Sequence, residues 1–449
     1  MSEGADLNGC RSFEELNDRI QKHHEANPSE WITGRGWDQN LWPVKAFPQN
    51  DLLNKLFPDT PVLLTRVDGH AVLVNQALID LSGINADSLT KPGEAILKDG
   101  RFTGVFLESY ADMFRNMVPV PSDEILKKLL QQAAADCFGV GLTMVADAGL
   151  DASTIRFIDQ MQSDDELKMA VYAMLNPTEE NFNTFLTKGK YVTNKLNVRS
   201  VKLYADGALG SRGACLLEPY SDMPGYYGIA TITPDELGRV CLMAYDNGFQ
   251  VCTHAIGDSA VRTILNVYSN YLMPGNDLRW RIEHAQIVHP DDIDKFGEYG
   301  IIPSVQATHA TSDMNWAEKR LGPKRIKTAY AYRKLMQQNN WLPNGTDFPI
   351  EDISPVKTFY AAVARKNLDG LPVRGFQKEN ALTREEALRS VTIWAARSFF
   401  EENRRGSLEP GKNADFVILD HDIMTIPENE IPDARVVLTY IDGQAVYIK

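Results

Sequence analysis

The sequence lacks several features that would assign it to common protein classes. Its five cysteines (Cys10, Cys137, Cys215, Cys241 and Cys252) are odd in number, scattered and never spaced as CxxC. That argues against a disulfide framework and a thiolate zinc site, and suits reduced, mostly buried thiols. No apolar run approaches the ~20 residues of a membrane-spanning helix. The opening MSEGADLNGC has neither a charged leader nor an apolar stretch behind it, so it does not read as a secretory signal. The expectation is a cytoplasmic protein with no membrane partner. Basic charge is in deficit, with 46 Lys and Arg against 60 Asp and Glu and a net charge of −14. Without a basic stripe, an aromatic platform or zinc-finger spacing, nucleic acid is a poor partner. No solenoid repeat or low-complexity tract occurs. The absence of a GxSxG elbow argues against a serine hydrolase, and the absence of a P-loop or GxGxxG after any strand argues against a nucleotide-binding sheet.

At 449 residues and 43% hydrophobic content, the chain can bury one large domain and an accessory one. Ser12 and Glu15 form a capping-box pattern for a helix to about Ala26, stopped by Asn27-Pro28. From Trp31 to about Pro121 the composition shifts to Pro, Gly and aromatics, which reads as an inserted subdomain. From Ser122 onward, helical runs alternate with short apolar strands: GLTMVAD, KMAVYAM, VKLYAD, QVCTHA, RIEHA, IPSVQ and WLPNGTD. This rhythm predicts a parallel β/α sheet, seven strands where a closed (β/α)8 barrel needs eight. Residues 1–30 and 122–398 are assigned to the barrel and 31–121 to the inserted subdomain. The β-rich 399–449, with an Asp-Gly hairpin signal, makes half of a small sheet domain.

Chemistry in such a barrel sits at the C-terminal strand ends, which here carry Asp147, Lys202, His254, His284, Gln306 and Asp347. Two neutral imidazoles and a carboxylate suit a zinc-like divalent ion. Lys202 is a poor ligand as an amine but becomes an anionic oxygen ligand if carbamylated by CO2. Asp347 could accept a proton from an activated water and return it to a leaving nitrogen. Each residue also has a structural reading: Lys202 could snorkel or pair with Asp206, either histidine could be a hydrogen-bonded core residue, and Asp347 could cap a turn. Together, on four strand ends in this order, they are a much stronger signal than separately, and the expectation is a metal site of Lys202, His254, His284 and Asp347 with Asp347 as the catalytic acid and base. His70 in RVDGHA could contact substrate, while Arg66 and Asp68 could equally be a local ion pair; His309, just past Gln306, could line the same mouth. Trp31, Trp37 and Trp42 could shape a partly aromatic pocket or pack as core. The expected substrate contacts are therefore His70, Arg66, Asp68, Trp37, His309 and Gln306. His23 and His24 read as solvated, His289 as structural, and His421 as part of the C-terminal sheet.

The segments WITGRGWDQNLWP, RVDGHAVLVNQAL, VKLYADGALGSRGA, EPYSDMPG, THAIGDSAV, RIEHAQIVHPDDI, SVQATHATSDM, GTDFPIE and GSLEPGKNADFVILD run nearly end to end. In them the chain resembles the branch of the amidohydrolase superfamily that contains N-substituted formamide deformylases and related metal-dependent hydrolases. The resemblance implies a TIM-like (β/α)8 barrel with a composite β-sandwich and a centre of one or two divalent metals, usually zinc. The implied reaction is hydrolysis of C–N bonds in small amides or cyclic amides. It matches Lys202 to the carboxylated bridging lysine, His254 and His284 to the fifth- and sixth-strand ligands, and Asp347 to the eighth-strand acid and base. One family feature has no counterpart: the first-strand HxH pair, since the only neighbouring histidines are the adjacent His23 and His24. The expectation is thus a member truncated before that strand by roughly 70–80 residues, binding at most one ion and impaired as a hydrolase. The rival reading is a non-catalytic remnant that binds ligand. A homodimer is left open.

Overall fold

A computed structural model describes residues 4–449 and resolves into two units: the residues up to Leu129 together with Gly207–Ala214, and the remainder, Leu130–Asp206 with Cys215–Lys449. The smaller unit is built on a six-stranded sheet in the order β1-β2-β3-β4-β6-β5, comprising β1 (Ala5–Asp6), β2 (Ile32–Trp37), β3 (Val62–Arg66), β4 (Ala71–Val74), β5 (Ala95–Lys98) and β6 (Arg101–Leu107). β1, β2 and β3 are parallel and the rest antiparallel. Leu63, Val72, Val74, Leu78, Ile79, Phe106 and Phe114 close its core.

The pairing of β1 with β2, Ala5 opposite Gly34, corrects the expectation that the first 30 residues join the barrel. The glycines of ITGRGW are the reason: Gly36 has a φ of 111°, and a Cβ there would fall 2.4 Å from Asn8 Oδ1. Only glycine lets the N-terminal segment lie this close. The helix Phe13–Ala26 begins and ends as expected. Ser12 Oγ accepts from the Glu15 N–H at 3.1 Å, while the Glu15 carboxylate takes the Arg11 N–H instead of closing the box on Ser12.

In the larger unit the strands β7 (Met144–Leu150), β8 (Ala170–Leu175), β10 (Leu196–Tyr204), β11 (Gln250–Ala255), β12 (Arg281–His284) and β13 (Ile302–Ser304) form one parallel sheet in chain order. A two-residue β9 (Tyr191–Val192), not anticipated, runs antiparallel to the start of β10. Helices lie between successive strands, as crossovers joining parallel strands require. WLPNGTD joins through a single parallel bridge, Val305 to Asn344. Among the described residues no pairing links β7 to that segment, so this is an open (β/α) half-barrel rather than a closed ring.

Residues paired across parallel strands share a face. Lys202 lies opposite Cys252, Tyr204 opposite His254, and His254 opposite Glu283. These side chains, with Arg281, line the interior face of the sheet. Strict alternation would turn His284 away from it, but His284 adopts a φ of 72° and leaves the strand geometry, so its ring packs edge-on against His254 at 4.5 Å.

The tail forms a three-stranded antiparallel sheet of β14 (Phe416–Leu419), β15 (Val436–Ile441) and β16 (Gln444–Ile448). Asp442 and Gly443 both take positive φ, 49° and 74°, the two-residue primed turn that the Asp-Gly pair announces. Thr439 Oγ1 donates to the Phe138 carbonyl at 2.7 Å, fastening this sheet to the end of the helix before β7.

Gly36→Ala should destabilise the smaller unit by about 2 kcal/mol, combining a left-handed backbone with steric conflict. The expected readout is a lower melting temperature and faster proteolysis before Trp31; unchanged values would mean that β1 is not held in place by this close approach.

Candidate metal centre

Four ionisable side chains expected at the site lie together at the C-terminal ends of β10 to β13 and the bridge segment. Lys202, His254 and His284 are buried, while Asp347 keeps 31% of its side chain accessible. His309, expected as a substrate contact, joins them. It sits in the first turn of the short helix Ala307–Asp313 that follows β13, a placement that the apolar-strand pattern of SVQATHA conceals.

Within this group His284, His309 and Asp347 can each turn one ligand atom to within 4.8 Å of the other two. His309 Nε2 lies 3.4 Å from Asp347 Oδ2, near the ~3.3 Å that separates ligand atoms in a tetrahedral site with bonds of ~2.0–2.1 Å. His284 Nδ1 is 2.7 Å from Gln306 Oε1. An amide oxygen only accepts, so Nδ1 carries the proton and Nε2 presents its lone pair. Two imidazole nitrogens, one carboxylate and an accessible side suit a borderline divalent ion such as zinc with a position left for water. Both His284 and Asp347 hold positive φ, 72° and 55°, strain of the kind that concentrates at functional sites.

The remaining two expected ligands stand beside this triad. His254 Nε2 lies 3.6 Å from Asp206 Oδ1, and Lys202 Nζ sits 4.6 Å from the centroid of the Tyr204 ring. In register with them on β12, Arg281 Nε donates to Glu283 at 2.7 Å.

The electrostatics follow from burial. Burial depresses His284 to about 4, so it stays neutral. It also pulls the Lys202 amine below its usual range, against the pull of Glu283 and Asp347. Burial opposes a charge on His309 too, but hydrogen bonds with Asp347 and Glu351 hold its ring well above the usual imidazole range. Burial likewise opposes ionisation of Asp347, but a hydrogen bond from His309 to its carboxylate and the nearby charge-stabilising His284 reverse this and keep the carboxyl below its ordinary value. Asp147, expected at a strand end, lies in the middle of β7 and is exposed, apart from this group.

Asp206 was weighed only as a partner for Lys202, yet it organises the loops around the site. Its two oxygens accept the N–H groups of Cys215, Ile256 and Gly257 at 2.8–3.0 Å. The signal was available, an acid directly after a strand and before a glycine.

The other expected substrate contacts form a network within the smaller unit. Arg66 makes ion pairs with Asp38 and Asp68 and donates Nε to Gln39 at 2.8 Å. His70 Nδ1 meets Glu108 Oε2 at 2.9 Å. Trp37 is wholly buried, with Nε1 donating to the Leu64 carbonyl, so its place is the core. Glu108, which sequence reasoning did not single out, adopts a φ of 42° and presses against Gly207 and Gly213, where Cβ atoms would fall 1.9 and 2.6 Å from its Oε1.

The description of the Amidohydrolase family matches residues 1–447. The chain belongs to the amidohydrolase family. This amidohydrolase is 30% identical over 438 residues to YtcJ of Bacillus subtilis (strain 168), across 96% of its own length and 82% of that protein's. It is 23% identical over 458 residues to the N-substituted formamide deformylase of Arthrobacter pascens, across 97% and 82% of the two chains. Its fold is similar to the crystal structure of an uncharacterized metal-dependent hydrolase from Pyrococcus horikoshii OT3, with a TM-score of 0.75, 28% identity and coverage of 95% and 83%. By family it is a metal-dependent hydrolase acting on carbon–nitrogen bonds. No helix among the described residues is long and apolar enough to cross a membrane.

Two outcomes follow. Asp206→Ala strands three backbone donors and should cost about 3 kcal/mol or more in denaturant unfolding; a loss below about 1 kcal/mol would remove Asp206 from its organising role. The Glu108 carboxylate overcomes burial to raise His70 from 6.5 to about 9. A folded value above the free value means the pair stabilises fully below about pH 6.5, and the contribution fades as pH rises through about 9. The gap in unfolding free energy between the chain and His70→Gln should be about 3 kcal/mol near pH 6 and shrink toward pH 10; a pH-independent gap would contradict this.

Proposed function

We propose that this amidohydrolase hydrolyses the C–N bond of a small amide or cyclic amide at a single divalent ion, zinc by donor type, held by His284, His309 and Asp347. The observation that carries the proposal is the convergence of these three side chains within 4.8 Å at the C-terminal ends of a parallel sheet. When bound, such an ion supplies Lewis acidity and lowers the pKa of a coordinated water toward neutrality. Asp347, kept ionised and partly accessible, takes the proton from the attacking water at a carboxylate oxygen and passes it to the leaving nitrogen. The products are an acid and an amine. His284, held neutral, keeps its Nε2 lone pair directed into the site, and Gln306 fixes its orientation.

Lys202 supplies a second element. As a buried amine with a depressed pKa it is nucleophilic toward CO2; N–C bond formation with loss of a proton would give a carbamate, an anionic oxygen donor beside His254. The three donors gathered within 4.8 Å make one cluster, which supports one ion there. A second reading is that the site binds an amide without turning it over. The deformylase relative makes N-formyl and N-acyl amines the first substrates to try.

Zinc titration should find one tight site per chain, weakened at least 100-fold in His284→Ala and Asp347→Ala. Slow metal-dependent release of amine from an N-formyl substrate supports hydrolysis, and one tight ion with no turnover supports the ligand-binding reading. Absence of zinc binding would contradict both.

A further inference from the structure

His309 is held by more than its place in a short helix. The segment Asp347–Glu351, DFPIE, folds as a turn closed by the Ile350 N–H donating to the Asp347 carbonyl at 2.8 Å. That one turn sets a carboxylate on each side of the imidazole: Asp347 Oδ2 lies 3.4 Å from Nε2, and Glu351 Oε1 lies 3.0 Å from Nδ1. Glu351 is itself tethered, since the same Oε1 accepts from Ser312 Oγ at 2.6 Å. Ser312 lies three residues after His309, on the same side of the helix Ala307–Asp313, so helix and turn are fastened together at one carboxylate oxygen.

We propose that Glu351 is a positioning residue of the metal centre. By accepting the Nδ1 proton it fixes His309 in the Nδ1–H tautomer, with Nε2 turned toward Asp347 and His284 as a donor atom. Ser312 holds Glu351 for this task. An imidazole on a short helix otherwise has two broad ring orientations, and in one of them Nδ1 would face the site. A carboxylate behind a ligating histidine removes that choice and raises the basicity of the nitrogen facing the ion. His284 has the corresponding support from a neutral amide, Gln306 Oε1, so the two histidines of the centre are set apart: one backed by an amide, the other by a charged, tethered carboxylate. This inference rests on the reading that His284, His309 and Asp347 hold an ion, and adds the residue that makes His309 competent to do so.

The test uses zinc alone and the full chain. Glu351→Ala should weaken zinc binding 10- to 100-fold in competition with a chromophoric chelator. Glu351→Gln, whose amide oxygen can still accept from Nδ1, should recover part of that loss, and Ser312→Ala should lose several-fold. At saturating zinc, nitrogen-15 chemical shifts should report His309 with its proton on Nδ1 and Nε2 as the donor atom, becoming mixed in Glu351→Ala. A clip of purely structural value would lower the melting temperature without moving the tautomer or separating Ala from Gln. Zinc affinity equal to that of the unsubstituted chain in Glu351→Ala, while His284→Ala loses its zinc, would overturn this inference and leave the metal reading standing. No zinc binding by the unsubstituted chain would overturn both. If Glu351→Ala fails to fold, Glu351→Gln decides: a several-fold loss is expected, and an unchanged affinity overturns the proposal.

Discussion

Ionisable groups removed from water at one end of a parallel sheet set the terms for much of this structure. Burying Lys202, His254, His284 and His309 together would be prohibitive without compensation, since an unpaired charge in the interior costs several kcal/mol. The chain answers in several ways. Arg281, in register with Lys202 two strands away, is paired with Glu283. Burial depresses Lys202 and His284, which lowers the cost of holding both where they are. At the rim, His309 lies between Asp347 and Glu351, so one cationic ring faces two carboxylates. Asp206 is buried with three backbone N–H groups supplied by the loops that follow β10 and β11. In the proposed centre a divalent ion takes over the role that the His309 proton plays without it, which couples metal binding to proton release.

Much of this was legible in the residues because parallel strands deliver their C-terminal residues to one place. The strand-end rule selected Lys202, His254, His284 and Asp347 from the sequence, and the structure brings all four to the same end of the sheet. The seven expected strands are present, six as full strands and the last as a bridge at Asn344. The turn at Asp442-Gly443 was readable because few residue pairs tolerate two successive positive φ values.

The parts that escaped were set by contacts distant in sequence or by backbone outside the standard regions. His309 looked like a rim residue because nothing in SVQATHA marks where strand gives way to helix. Glu351 and Asp206 are acids in loops, and their tasks become visible only once the neighbouring N–H groups and imidazole are located. His284 would face away under strict alternation; its positive φ has no sequence signature. Residues 4–30 went to the wrong unit because a two-residue strand carries no periodicity, while the glycines that admit it lie about thirty residues further along. Family membership supplies a metal-dependent hydrolase and a C–N bond, and the geometry brings His284, His309 and Asp347 close enough to be a candidate donor set.

The central claim is the identity of that donor set. It is tested most directly by growing crystals with zinc and locating the metal by anomalous scattering. The account predicts one peak per chain, within bonding distance, ~2.0–2.2 Å, of His284, His309 and Asp347. A peak seated instead between His254 and Asp206, or none at the ends of these strands, would contradict it.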